Sequence, residues 1–378
     1  MGEKRPAEVF HPGEYLADEL KERGWSQTEF AEIIDRPVRL VNEIVNGKRG
    51  ITPDTAREFA AALGTSPELW MNLDSAYQLW KTTADLSHIE ERAKMRSLYP
   101  VREMINRRWI RSSEDNQIVQ SQLLRYFEIK SLTERPQLAT RAAAKRSDAS
   151  DADMNPLQIA WLYRVKQISE TFTATPYSEE KLRDAVSELS TYRKNPSEIS
   201  RIPRLLAACG VHFVIVEGLP TSKIDGVAFW NNDSPVIGMS LRYDRIDNFW
   251  FVLRHEIEHI LRGDGKEVIV IDADLDTGTS DSEGLSEAER AANMAAAEFC
   301  VHQKDLDDFI ARQFSMFPKE KVLGFAERMR VHPGLVVGQL QRKTQRYDLF
   351  RPLLVSVKTD ILSTAFADGF GQCFPVEI

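Results

Sequence analysis

Cysteine is scarce in this chain: Cys209, Cys300 and Cys373 are the only three in 378 residues. An odd, widely spaced set argues against a disulfide framework and against a cysteine-based zinc site, so three idle or buried thiols are expected. Long apolar runs are missing as well. No stretch approaches the roughly 18 residues needed to cross a bilayer. The opening segment MGEKRPAEVFHPGEY is charged and has no apolar core of the secretory kind, so a cytoplasmic protein with no membrane contact is expected. Positive charge is not in surplus either. With 49 Lys and Arg against 57 Asp and Glu the net charge is -8, which argues against general affinity for nucleic acid. Any DNA reader here must concentrate its basic groups locally. No internal repeat or long low-complexity segment stands out. What remains is ordinary for a globular protein, 42% hydrophobic and 28% charged, and long enough for two or three domains.

Against that background one motif carries chemistry. His255-Glu256-Ile257-Glu258-His259 is an HExxH sequence, flanked by the apolar run Phe249 to Leu253 and by Ile260 and Leu261. On a helix, residues four apart share a face, so both imidazoles can reach one metal ion. Glu256 falls about one hundred degrees round the helix, beside the metal, where it can act as general base towards a water. The apolar flank predicts a firmly buried helix, the rigid mount that catalytic groups need.

Zinc needs a third protein ligand and keeps a position open for solvent. Residues 285–301, LSEAERAANMAAAEFCV, read as an alanine-rich helix that offers Glu289, with Asn293 four residues on along the same face. Glu287 is the rival ligand, whereas Glu298 faces elsewhere. Asn293 is the candidate partner for the outer nitrogen of a ligating histidine, an arrangement that fixes the tautomer.

HEIEH, preceded by YDRIDNFWFVLR and followed by the ERAAN helix, resembles the ImmA/IrrE family of zinc metallopeptidases over roughly residues 195–345. The resemblance implies a gluzincin-like zinc metalloendopeptidase with His255, His259 and Glu289 on the metal and Glu256 as the base. Zn2+ is the expected cofactor, one per chain, with Mn2+ the alternative. The chain departs from the family at Ala291, Ala295 and His302, where an acidic residue, an aromatic and a proline are usual. These departures touch the cleft rather than the metal ligands.

Residues 12–80 hold five apolar-periodic segments, broken at Gly24, at Asp35 to Pro37, between Gly47 and Gly50, and at Gly64 to Pro67. A bundle of five short helices follows. Ser26 to Glu29 has the capping-box form and opens a helix through Phe30, Ile33 and Ile34. The next helix turns Leu40, Val41, Ile44 and Val45 inward. Residues 1–80 carry nine basic against fourteen acidic side chains, yet residues 36–49 carry four basic and one acidic. Two short helices beside this basic corner fit a helix-turn-helix DNA reader. Arg39 and Asn42 are the candidates for base edges, Lys48 and Arg49 for phosphate, with Arg36 flanking and Gln27 at a helix start. The run HPGEYLADELKERGWSQTEF to SAYQLW resembles HigA-type antitoxins, helix-turn-helix repressors that bind operator DNA as dimers. A homodimer is therefore expected, with residues 67–81 helping to pair subunits.

Residues 81–190, polar with apolar repeats, read as a helical connector; within it residues 81–150 carry fourteen basic and nine acidic side chains, and residues 144–155 read as an exposed linker or loop. Strands are expected at 211–216, 227–230 and 236–241, the last near the cleft as an edge for an extended peptide. His212, His302 and His332 read as ordinary surface histidines, while Tyr243 is a candidate for polarising a substrate carbonyl. Residues 272–287 read as a mobile acidic loop.

The expected fold is therefore α+β and mostly α: a helix-turn-helix bundle at 1–82, a helical connector at 83–194, a zincin-like metallopeptidase domain with a small sheet and the HExxH helix at 195–345, and a tail at 346–378. The expected function is a DNA-binding transcriptional regulator whose zinc endopeptidase cleaves a regulatory protein, whether a repressor, a toxin–antitoxin partner or the chain itself. The alternative is a non-proteolytic HigA-like antitoxin or repressor whose peptidase-like half senses metal or grips a toxin.

Overall fold

Stop and start signals in the first eighty residues set the helices of the N-terminal unit. The computed structural model describes residues 9–82, 86–136, 138, 154–266, 270–273, 286–313 and 316–375. Most of the linker at 144–155 and of the loop at 272–287 lies outside the described residues. The chain divides into two units, Met1–His88 and Ile89–Ile378. Among the described residues no helix is long and apolar enough to cross a membrane.

The first unit holds α1 (Pro12–Arg23), α2 (Gln27–Ile33), α3 (Val38–Val45), α4 (Pro53–Leu63) and α5 (Pro67–Lys81). His11 and Ser26 each close a capping box, and Thr52 and Ser66 cap helices that begin on proline. A side-chain acceptor at each start satisfies amide groups that have no partner within the helix. Gly24 and Gly64 end α1 and α4 in the left-handed conformation. Phe30, Val41, Ile44, Phe59 and Trp70 form the core, and Phe59 meets Phe30 and Trp70 at ring separations of 5.2 and 5.3 Å. Because α2 ends at Ile33 and Ile34 caps it, Ile34 turns into the core and Ile33 stays 49% exposed.

In the second unit α6 (Ser87–Leu98), which crosses the unit boundary, is followed by α7 (Val101–Asn106), α8 (Asn116–Tyr126), α9 (Pro156–Ser169), α10 (Glu179–Tyr192) and α11 (Ile202–Ala208). Then come β1 (His212–Val216), β2 (Ile224–Asn231), β3 (Ser234–Met239), α12 (Ile246–Arg262) and β4 (Val270–Ala273). The chain continues through α13 (Glu287–Cys300), α14 (Gln303–Arg312), α15 (Lys319–Met329), α16 (Pro333–Thr344), α17 (Lys358–Leu362) and β5 (Phe366–Asp368). The sheet has five strands in the order β4-β2-β3-β1-β5. Strand β1 runs parallel to β3 and β5, whereas β2 runs antiparallel to β3 and β4.

Both faces of the sheet are covered, which explains why its strands read as nearly continuous apolar runs. Val214, Val216, Val227 and Phe229 face a core that includes Trp161 and Val165 of α9 and Trp109, Leu123 and Tyr126. Phe213, Ile215, Ala228 and Trp230 face the opposite core, which holds Phe249, Trp250 and Leu253 of α12. The helices between residues 101 and 169 thus supply one layer over the sheet.

Two features of the unit depart from the sequence expectation. Strand β3 lies between β2 and β1, so Val236 to Leu241 offers no edge for a peptide, and β4 ends the sheet on that side. Residues beyond 345 contribute the other edge, β5. Its Asp368 is buried and accepts hydrogen bonds from Arg164 at 3.1 and 2.5 Å, from Trp109 Nε1 at 2.9 Å and from the Phe374 amide at 2.9 Å. Arg164 is buried too and also donates to the Phe374 carbonyl at 2.6 Å. A buried pair survives only when its hydrogen-bonding capacity is met this fully.

Candidate functional sites

Helix α12 carries His255 and His259 on one face, as the four-residue spacing demands, and both rings are buried by the apolar residues around them. Their Nε2 atoms lie 3.0 Å apart. Helix α13 packs against α12 and brings Glu289 to the pair, with one carboxylate oxygen 3.4 Å from His255 Nε2 and the other 3.4 Å from His259 Nε2. Two imidazole nitrogens at this separation repel unless a proton or a cation lies between them. A tetrahedral zinc with ligand bonds of about 2.0–2.1 Å has ligand-to-ligand edges of about 3.3 Å, close to this triangle. The donor set of two imidazoles and one carboxylate therefore fits a divalent metal. Glu287, at the first turn of α13, is exposed and is not one of the three converging residues.

Glu256 is fully buried beneath β2. A methyl group at Gly226 would come within 2.2 Å of Glu256 Oε1 and 2.8 Å of Val252 Cγ1, so the strand backbone lies directly on this carboxylate. A lone glycine inside a strand is a sequence sign of such a close approach, and Gly226 within IDGVAFWN carries it.

The outer nitrogen of His259 is held by a residue other than the one expected. Asn293 makes no hydrogen bond to either histidine, and its Oδ1 is buried without a hydrogen-bond partner. Instead His259 Nδ1 donates to Asp264 at 3.1 Å. Gly263 ends α12 in the left-handed conformation, and this reversal sends Asp264 back along the helix, where its amide also meets the His259 carbonyl at 2.9 Å. A five-residue offset across a helix end is invisible to helical periodicity, so spacing favoured Asn293. With Nδ1 protonated, the Nε2 lone pair of His259 points at His255 and Glu289.

The other histidines play local parts. His212 Nδ1 meets the Ser169 carbonyl at 2.7 Å, His302 pairs with Asp305 at 2.7 Å, and His332 Nδ1 caps α16 by accepting from Gly334 at 3.0 Å. Burial lowers the pKa of His332. Tyr243 precedes α12, its ring under Arg242 and Arg245. It precedes the end of α12 that lies roughly 14 Å from His255 by the helical rise.

On the first unit, Arg39, Asn42, Lys48 and Arg49 are exposed on and just after α3. Asn42 Nδ2 donates to Gln27 Oε1 at 3.2 Å and so links α3 to the start of α2. Glu43 holds Arg39 at 2.7 Å and Arg49 at 3.0 Å, and the hydrogen bond from Arg39 lowers its pKa. Lys48 has no carboxylate partner among the described residues. Arg36 is exposed and also paired. Glu58 of α4 takes its Nε at 3.0 Å and its Nη2 at 2.6 Å, which makes Arg36 a bridge within the bundle.

Comparison with known proteins agrees with this division. Residues 16–70 match the helix-turn-helix family model, and residues 211–337 match the model of the IrrE N-terminal-like domain, a peptidase family. Virulence-associated protein I of Dichelobacter nodosus is 36% identical over 87 residues, covering 23% of this chain and 81% of that protein. Antitoxin HigA-1 of Vibrio cholerae is 36% identical over 80 residues, covering 21% of this chain and 72% of that protein. Among solved structures, Pseudomonas aeruginosa antitoxin HigA with the higBA promoter is 37% identical, covering 21% of this chain and 88% of that one with a TM-score of 0.20.

Proposed function

Through residues 16–70 the chain belongs to the helix-turn-helix regulators and through residues 211–337 it carries an IrrE N-terminal-like peptidase-family domain, and from this we propose that it is a transcriptional regulator with a zinc-dependent endopeptidase that cleaves a regulatory protein. The supporting observation is the convergence of His255, His259 and Glu289, whose ligand atoms all lie within 4.8 Å of one another, with Glu256 buried on the same helix. These three residues would hold the cation. When bound, zinc supplies Lewis acidity to the scissile carbonyl and to water. Asp264 keeps the His259 ring in the binding tautomer. Glu256 accepts the proton of the attacking water and returns it to the leaving amine, while Gly226 fixes where that carboxylate lies.

The substrate is a repressor, a toxin–antitoxin partner or a second copy of the chain. Incubating wild type and Glu256→Gln with zinc, together with the product of the adjacent gene, tests the reading. Metal-dependent fragments from wild type alone support it, and equal fragmentation by Glu256→Gln refutes it. If neither protein cuts while both bind zinc, the non-proteolytic antitoxin reading takes its place, with Ala291, Ala295 and His302 as the altered cleft.

For the first unit, we assign Arg39 and Asn42 to base edges and Lys48 and Arg49 to phosphates, with Gln27 orienting Asn42. Helix α5 leaves Leu69, Leu79 and Trp80 exposed by 44%, 77% and 41%, an apolar face suited to pairing two subunits on a two-fold operator. In mobility-shift titrations on the chain's own promoter, Asn42→Ala should cost about 1–3 kcal/mol on the matched site. Lys48→Ala should instead weaken binding on all sequences and reduce the salt slope by about 1.

A further inference from the structure

Glu43 is the one acidic side chain among residues 36–49, and it stands on α3 between two of the arginines assigned to DNA. Its two carboxylate oxygens are divided between them. Oε1 accepts from Arg39 Nε at 2.7 Å, and Oε2 lies 3.0 Å from Arg49 Nε. The side chains of Arg39 and Arg49 are 87% and 51% exposed, whereas that of Glu43 is 22% exposed, so the acid is the most covered of the three. The backbone adds a second tie. The amides of Lys48 and Arg49 donate to the Glu43 carbonyl at 2.8 and 3.2 Å, which fastens the turn after α3 to the same residue.

Stability does not account for the arrangement. Ion pairs between exposed side chains contribute little, and at a four-residue helical spacing the favourable order places the acid before the base, the reverse of Arg39 and Glu43. Both pairings do share one geometric effect. A guanidinium gripped at Nε keeps its two Nη groups as a planar fork, which can pair with a guanine edge or with two phosphate oxygens. Among the described residues neither Arg39 nor Arg49 makes a hydrogen bond through Nη.

The carboxylate also carries a charge of the same sign as DNA. Phosphate contacts supply essentially all of the affinity for unrelated sequences, whereas base contacts carry the sequence information. A negative group between the two arginines therefore opposes the unspecific complex more than the matched one.

Resting on the assignment of Arg39 to base edges and Arg49 to phosphates, we propose that Glu43 is a positioning residue for DNA specificity, which aims both guanidinium forks and disfavours binding to phosphate alone. The test compares the full-length wild type with Glu43→Gln and Glu43→Asp in mobility-shift titrations over a salt series. Each protein is titrated on the chain's own promoter and on a random duplex of equal length. Glu43→Gln is nearly isosteric but uncharged. At about 50 mM salt it should bind the random duplex about tenfold more tightly, with a salt slope steeper by about 1, so that the promoter-to-random ratio falls by about the same factor. A purely structural Glu43 would leave slope and ratio unmoved. Melting temperatures check that each variant folds. If Glu43→Gln does not, Glu43→Asp decides: it keeps the charge but is one methylene shorter, so the slope should stay and the ratio should fall. A folded variant that keeps the wild-type ratio overturns the proposal while the DNA-reading assignment stands. A wild type with no preference for the promoter overturns that assignment, and this proposal with it.

Discussion

Replacing Asp264 tests whether the proposed metal site is organised beyond His255, His259 and Glu289. The side chain is 31% exposed and lies 3.1 Å from His259 Nδ1, and it shares its charge with Arg262 Nε at 3.4 Å. Partners on the outer nitrogen of a ligating histidine are typically worth about 10–100-fold in metal affinity. Here solvent can take over part of the hydrogen bond and Arg262 already draws on the carboxylate, so the lower end applies. Asp264→Ala should weaken zinc binding about tenfold, or about 1.4 kcal/mol. Asp264→Asn, which keeps an acceptor oxygen but loses the charge, should lose less. Competition titration against a chromogenic chelator at neutral pH reads the effect without any knowledge of a substrate. Glu289→Ala is the reference, because losing a ligand should remove most of the affinity. If Asp264→Ala binds zinc as tightly as wild type while Glu289→Ala does not, the orienting role of Asp264 is wrong.

Three further outcomes follow from buried groups. Asp368→Ala strands Arg164 as an uncompensated charge and should lower the urea stability of the second unit by about 3–5 kcal/mol, measured from its unfolding transition. Burial lowers the pKa of His11, whose Nδ1 accepts the Gly13 amide at 2.8 Å and can do so only when unprotonated. Its folded pKa lies below the unfolded one, so its contribution is complete above about pH 6.5 and is lost as pH falls further; His11→Asn, a non-titrating cap, should flatten that part of the Tm profile. Burial also pushes the Cys300 thiol up to about 12, so iodoacetamide should label Cys373 first and leave Cys300 intact until the protein is unfolded.

The sequence by itself carries whatever depends on neighbours a few residues away. The five helices of the first unit follow from caps and glycines that act within one turn, and their observed bounds match the breaks at Gly24 and Gly64. The pairing of His255 with His259 is equally local. Choosing Glu289 over Glu287 required only helical spacing within α13. Errors arose where the chain reverses or comes back from afar. Asp264 reaches His259 through a left-handed helix end, and β3 lost its expected edge because β2 and β1 flank it on either side.

Local chemistry alone marked a helix with two histidines on one face and a basic corner beside a short helix, because each depends on residue types at short spacing. Only the folded arrangement could bring Glu289 to the histidines, lay Gly226 over Glu256 and join Arg164 to Asp368 across 204 positions. The physical reason is that periodicity specifies which face of an element is apolar, whereas the choice of partner for that face is settled by packing among elements distant in the chain.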